Sequence, residues 1–227
     1  SVVMTGDGSH TLRDPATGQH YHSTFGAVTE SAHIFIDAGF HFSAGLLPAD
    51  ISQPKRLRIL EIGFGTGLNA LLTLAAGESS ATPVFYTAVE KYPVSEDVWK
   101  SLNFTSLPGL ADTPSAFRVM HQAPWNRVTE INPAFSLHKL QTDACAFTPE
   151  AASFDLVYHD AFAPDVQPEL WSSGVLAHLY EGLASGGILV TYSVKGEVVR
   201  AMKSTGFSVE KLPGPPGKRH ILRAQKL

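Results

Sequence analysis

Two short stretches of the chain combine residue types that could bind and transform a small molecule. The first is Glu61-Ile62-Gly63-Phe64-Gly65-Thr66-Gly67-Leu68-Asn69, three alternating glycines between an apolar strand-like run and an apolar helix-like run. Glycines there let the backbone turn sharply and approach a ligand, and a helix beginning after them presents unpaired N–H groups. Glu61, two residues before the first glycine, suits a ligand with a cationic amino-acid end. The second stretch is Phe154-Asp155-Leu156-Val157-Tyr158-His159-Asp160-Ala161-Phe162-Ala163-Pro164. Its apolar strand delivers Asp160 to a carboxyl end, where open α/β sheets bind ligands. Phe162 and Pro164 add a rigid apolar edge, and a carboxylate beside an aromatic wall suits a flat base carrying an amine. The plainer reading of Asp160 is a cap on the helix that starts near Pro168.

Two further acids follow strands. Glu90 ends the run 84–89 and would hydrogen-bond ribose hydroxyls of either a nicotinamide dinucleotide or S-adenosylmethionine. Asp143, followed by Ala144, could accept a hydrogen bond from an adenine amine or could cap a turn. The dinucleotide fingerprint is Gly-x-Gly-x-x-Gly. Here the third glycine comes one position early, and Leu68 stands where the last would be. Glu61, the loop 63–67, Glu90 and Asp143 together favour S-adenosylmethionine.

These residues need a scaffold, and the chain alternates strand-like and helix-like runs. Residues 11–13 and 19–23 read as a hairpin about a turn at 14–18, followed by a helix over 29–40. Then come a strand at 57–62, a helix at 68–76, a strand at 84–89 and a helix at 94–102 after Pro93. Strands at 136–140 and 154–158 precede a helix over 168–185 ended by Gly186-Gly187, and a strand at 188–192. An amphipathic helix over 195–204 stops at Gly206, and strands at 207–212 and 220–224 flank a Pro/Gly loop. Such alternation implies a mostly parallel sheet with helices on both faces. The last two strands must be antiparallel, because a parallel return needs a crossover of a dozen or more residues. The expected fold is α/β: a class I, Rossmann-like S-adenosylmethionine-dependent methyltransferase, doubly wound and mostly parallel, with a C-terminal antiparallel hairpin. Residues 1–227 read as a single domain, with a small N-terminal β/α extension (1–54) before the catalytic core (55–227).

Composition bounds the rest. The chain has 227 residues, 44% of them apolar, and a formal charge of −4, which excludes a disordered chain. No apolar run approaches the roughly 20 residues that a bilayer requires. The start of the sequence lacks a basic, apolar leader, and one Cys forms no internal disulfide, so a cytoplasmic setting is expected. A net negative charge argues against generic polyanion binding. The average conceals a split, however: residues 191–227 carry eight basic and two acidic groups, leaving −10 on residues 1–190.

The block Asp160-Ala161-Phe162-Ala163-Pro164, then Gln167-Pro168-Glu169-Leu170-Trp171, Gly186-Gly187 with Thr191-Tyr192-Ser193, and Gly217-Lys218-Arg219 resemble one family. It is the bacterial tRNA 5-aminomethyl-2-thiouridine methyltransferases of the MnmC/MnmD type. Tyr21-His22-Ser23 with Gly26-Ala27 and Glu30-Ser31, and the glycine loop, are similar too. The resemblance implies methyl transfer from S-adenosylmethionine to the aminomethyl nitrogen of a tRNA wobble uridine. It implies Asp160 as the catalytic residue and Glu61, Gly63, Phe64, Gly65, Thr66, Gly67, Asn69, Glu90, Asp143 and Ala144 as cofactor-binding. Phe162, Pro164, Tyr192, Lys218 and Arg219 are the expected substrate side. The basic C-terminal segment would dock the tRNA anticodon stem-loop. Some family members carry a fused flavin-dependent oxidase; 227 residues read as the stand-alone transferase, with no FAD and no metal.

Two positions depart from the family: His159 stands where an apolar residue is usual and is expected to alter the pocket's polarity, and His220 stands where Glu commonly follows Lys-Arg. His10, His20 and His22 could share a hairpin face as a metal site, but no acidic or Cys ligand completes it. Cys145 reads as a small buried residue, and Trp171 as a core aromatic or the pocket floor. The rival readings are a small-molecule N-methyltransferase on the same fold and a non-catalytic cofactor-binding module.

Overall fold

A computed structural model describes residues 1–47 and 55–227. The expected boundary between extension and core, at 54/55, falls at the edge of residues 48–54, outside the described residues. The core is an eight-stranded sheet whose strands run, edge to edge, 127–132, 135–141, 84–90, 57–62, 154–159, 183–191, 220–225 and 208–213. Its centre is β3 (Leu57–Ile62), with β4 (Val84–Glu90) on one side and β7 (Phe154–His159) on the other, both parallel to it. Parallel strands β6 (Phe135–Gln141) and β8 (Leu183–Thr191) extend the two sides. The last strand, β10 (His220–Gln225), inserts antiparallel between β8 and the edge strand β9 (Ser208–Pro213).

A strand buried on both faces must be apolar at successive positions, and β3 shows why its sequence reads as a continuous run. Ile59 points into one apolar layer with Leu156 and Tyr158 of β7; Leu60 and Ile62 point into the other with Val157. Helices α3 (Leu68–Ser80) and α5 (Pro114–Gln122) cover the first layer, and α6 (Ser173–Gly182) and α7 (Gly196–Thr205) the second. At the amino ends, Arg58 donates to both carboxylate oxygens of Asp155 at 3.0 and 2.7 Å, locking β3 against β7. That pairing sets the level at which both strands release their site residues.

The N-terminal region departs from its expected form. β1 (Val2–Met4) pairs with β2 (His10–Leu12), while the turn at 14–18 returns the chain to β2 through one bridge, Arg13 to His20. The helix is longer than expected, running from α1 (Ala27–Ser31) through wide π-helical turns (Ala32–His41) into α2 (Phe42–Gly45). Its Ile34, Phe35 and Phe40 are buried in the first layer. A Cβ on Gly39 would lie 3.0 Å from Val190 and 3.2 Å from the Tyr158 ring, so a glycine lets this helix lie directly on the sheet.

Five further differences concern the core. Helix α5 and the edge strand β5 (Arg127–Asn132), antiparallel to β6, lie outside the expected elements; β5 has no buried residue and lacks an apolar run. α4 (Glu96–Lys100) is shorter than expected. The expected 168–185 helix divides into a 3-10 turn (Pro168–Trp171) and α6, with Ser172 Oγ accepting from Val175 N at the new start. Gly186-Gly187 do not end a helix. They lie within β8, where register with β7 shifts between Phe154 and Leu156, as at a β-bulge. Among the described residues, no helix is long and apolar enough to cross a membrane.

Candidate cofactor and active site

The carboxyl ends of β3, β4, β6 and β7 open onto a single cavity of about 950 Å³, closed on its far side by residues 14–25 and by Gly217-Lys218. The glycine loop forms one wall. Gly63 and Gly65 sit at φ +93° and +49°; a Cβ on the first would lie 3.0 Å from the Asp160 carbonyl, and on the second 3.1 Å from the Tyr21 ring. Both positions therefore need glycine, and the bare backbone forms a cradle that side chains would fill. Glu90 fastens the loop, accepting Gly65 N at 3.0 Å and Tyr92 N at 2.8 Å.

Asn69, in the first turn of α3, joins the two halves of the site. Its amide nitrogen donates to Glu61 Oε1 at 2.9 Å and to Asp160 Oδ2 at 2.8 Å. Glu61 is 1% exposed, and burial, reinforced by the neighbouring Asp160 charge, holds its carboxyl well above the ordinary range. Desolvation also raises Asp160, with Glu30 adding to the rise and Asn69 and Lys218 opposing it. Glu61 Oε2, Asn69 Oδ1 and Thr66 Oγ1, on residues in or flanking the glycine loop, are buried without a partner. That set fits a ligand bearing an ammonium and hydroxyl groups, as S-adenosylmethionine does.

The segment after Asp160 is held rigidly. Tyr192 Oη donates to Ala161 O at 2.7 Å, Trp171 Nε1 to Phe162 O at 2.8 Å, and Phe162 N to Gln167 Oε1 at 3.2 Å. Phe162 meets the edge of Tyr21 with ring centroids 5.1 Å apart. Burial pushes the Tyr21 hydroxyl up to about 12 and raises that of Tyr192 further, so both remain neutral donors. Glu30 accepts from Ser23 N at 2.6 Å and pairs with Lys218 Nζ at 3.1 Å.

Of the expected residues, Gly63, Phe64, Gly65, Thr66, Asn69, Glu90, Asp143, Ala144, Asp160, Phe162, Tyr192 and Lys218 line this cavity. Glu61, Gly67, Pro164 and Arg219 are not in its wall: Glu61 stands behind Asn69, Gly67 caps α3, Pro164 is buried and Arg219 is exposed. Asp143 is already engaged, with Lys91 Nζ at 2.8 Å and Cys145 N at 2.9 Å, so it does cap a turn. Lys218 lines the cavity, where Glu30 and the Tyr192 ring receive it. His159 does not reach the cavity. It is fully buried against Trp171 in the second layer, and burial lowers it to about 4, so it is neutral there. Trp171 supports Phe162 from behind and is not in the cavity wall. His10 and His22 contact Ser101 O and Thr11 Oγ1, and no cluster of three or more metal-ligating side chains occurs among the described residues. Tyr21 and Glu30 also line the site, and their only sequence signal is membership of the N-terminal family block.

The family model described as S-adenosyl-L-methionine-dependent methyltransferase matches residues 118–227. The tRNA 5-methylaminomethyl-2-thiouridine biosynthesis bifunctional protein MnmC of Aromatoleum aromaticum is 32% identical over 99% of this chain and 35% of its own length. The chain is similar to MnmC proteins over almost its whole length, and to S-adenosyl-L-methionine-dependent methyltransferases over residues 118–227. The MnmC of Burkholderia multivorans is 33% identical over 93% of the chain and 33% of its own length. The chain thus spans about a third of the length of the curated relatives it matches. The crystal structure of MNMC2 from Aquifex aeolicus superposes with a TM-score of 0.76 at 24% identity, covering 99% of this chain and 70% of that one. The fold is therefore the Rossmann-like methyltransferase fold, and S-adenosyl-L-methionine is the cofactor of the family.

Proposed function

We propose that this domain methylates the 5-aminomethyl group of wobble (2-thio)uridine in tRNA, giving 5-methylaminomethyl-2-thiouridine. The observation that carries this reading is the Asn69 bridge, which couples Glu61 behind the glycine loop to an Asp160 carboxyl facing an aromatic-walled cavity. The biosynthetic product named for the MnmC relatives supplies the substrate class. We assign Glu61, Asn69 and the loop 63–67 to the amino-acid end of the cofactor, Glu90 to its ribose, and Asp143-Ala144 to its adenine. Residues 1–227 are proposed to act as one unit, in the cytoplasm.

S-adenosylmethionine, when bound, supplies an activated methyl group. The acceptor must present a free lone pair in line with it. An amine with pKa ~10.4 is neutral in only about one molecule in 2,500 at pH 7. Tyr21, Phe162 and Tyr192 exclude water around that amine, and desolvation favours its neutral form. Asp160 orients it by accepting one N–H hydrogen. The nitrogen lone pair forms the new N–C bond as the S–C bond breaks, and the extra proton leaves the secondary ammonium to Asp160 or water.

Docking of tRNA is assigned to the exposed cations of the C-terminal segment rather than to all eight. Lys195, Lys218 and Arg223 are paired with Asp165, Glu30 and Glu210. Arg200, Lys203, Lys211 and Arg219 are exposed and form no ion pair among the described residues. The deciding experiment supplies labelled S-adenosylmethionine and tRNA carrying the unmethylated aminomethyl group, then digests to nucleosides. Label in the wobble uridine is expected; label only in an added small amine would reassign the substrate. Asp160→Asn should cut turnover at least tenfold while leaving cofactor affinity within about twofold.

A further inference from the structure

The cavity is lined by a half-buried cation, Lys218, that neither the docking role nor the methyl transfer, as described, employs. Lys218 Nζ lies 3.1 Å from Glu30 Oε1 and 5.1 Å from the centroid of the Tyr192 ring. Its partner is no surface acid: Glu30 is 8% exposed, and its second oxygen holds Ser23 N. The loop that carries Lys218 is shaped to turn it inward. Gly217 has φ +86°, and the Phe25 ring fills the place of its Cβ, which would lie 2.4 Å away. Lys218 N donates to Pro215 O at 2.9 Å, and Gly214 N to Arg219 O at 3.1 Å.

Without this cation, an amine entering the cavity would meet Asp160 and Glu30 together. Glu90 lines the same cavity, and Glu61 stands behind Asn69. Tyr21, Tyr192 and His22, which also line the cavity, are neutral, His22 because burial lowers it to about 4. A Glu30 carboxylate with no countercharge, beside the Asp160 carboxyl, would favour the amine as an ammonium, which has no lone pair to form the N–C bond. Lys218 neutralises Glu30 and sets a like charge beside the acceptor. We infer that Lys218, held by Glu30 against the Tyr192 ring, is a specificity residue that keeps the acceptor amine uncharged in the cavity. This inference rests on the proposed amine methylation and names how that site selects the reactive form of its substrate.

The test is the pH profile of single-turnover methylation at saturating S-adenosylmethionine and tRNA, which reports ionisations in the bound complex. Lys218→Met should move the acid limb to higher pH by about one unit, making the variant about tenfold slower below the limb. Lys218→Gln should behave alike, and Lys218→Arg should keep the wild-type limb. A less basic acceptor, such as an aminooxy analogue of the substrate, should bring the Met variant close to the wild-type rate. If Lys218 only docks tRNA, Lys218→Met will weaken binding and flatten its salt dependence with the limb unmoved, and the inference is overturned. A wild-type protein that leaves the aminomethyl uridine unlabelled overturns the substrate assignment instead, and the inference with it. Retained S-adenosylmethionine binding by calorimetry checks that each variant is folded.

Discussion

Replacing Asn69 by Ala removes the donor that spans two carboxyl groups. Asn69 is 2% exposed, and its amide nitrogen reaches Glu61 Oε1 at 2.9 Å and Asp160 Oδ2 at 2.8 Å. A hydrogen bond contributes roughly 0.5–1.5 kcal/mol to a neutral group and roughly 1.5–3 kcal/mol to a charged one, so the bridge is worth most where the carboxyls ionise. Water from the cavity can replace part of the Asp160 bond, whereas Glu61 has no such access. The loss is then about 2–4 kcal/mol, or roughly 4–16 °C in melting temperature for a domain of this size. Its pH dependence carries the sign. Glu61 and Asp160 are both raised in the folded protein, so the folded state keeps protons that the unfolded chain has released above about pH 4. Their contribution therefore becomes less favourable as pH rises from there through the raised values. Asn69 lowers both groups and limits that loss, so Asn69→Ala should cost more at pH 8 than at pH 5. Denaturant titrations of wild type and variant at the two pH values read this difference directly. A penalty below about 0.5 kcal/mol, or one larger at pH 5, would refute a bridge between two high-pKa carboxyls.

Three other perturbations have signs set by the structure. His159 is buried with both ring nitrogens unpartnered and is lowered to about 4, so the wild type should lose stability as pH falls from about 6.5 toward 4; urea titrations should show His159→Leu flatter across that window and at least as stable at pH 7.5. Gly217→Ala forces a Cβ into the Phe25 ring at positive φ and should cost about 1–3 kcal/mol, seen as faster amide exchange in residues 21–30 with cofactor affinity unchanged. Trp171→Phe removes the 2.8 Å hydrogen bond to Phe162 O, about 1 kcal/mol of support, and should slow methyl transfer about fivefold in single-turnover assays without weakening S-adenosylmethionine binding.

The sequence alone determines the central architecture. Continuous apolar runs of strand length alternating with helical ones permit little besides a mostly parallel sheet, and the short loop at 213–217 forces the antiparallel finish. The glycine spacing and the positions of Glu90, Asn69 and Asp160 at strand and helix ends are equally local, because the end of a parallel strand is where a side chain meets the cavity. Edge strand β5 and the division of the 168–185 helix escape such reading, since an exposed strand needs no apolar pattern and a Ser cap competes with helix propensity only in context. Tertiary structure alone decides which charges meet. Glu30 and Lys218 are 188 positions apart, and their pairing depends on the first helix and the last loop closing over the same sheet end. A charge count along the chain assigns Lys218 to an outer basic face; packing against Tyr192 and Glu30 turns it into the site. His159 and Asp160 are neighbours in sequence, but a strand sends successive side chains to opposite faces, so one is sealed in the core while the other reaches the cavity.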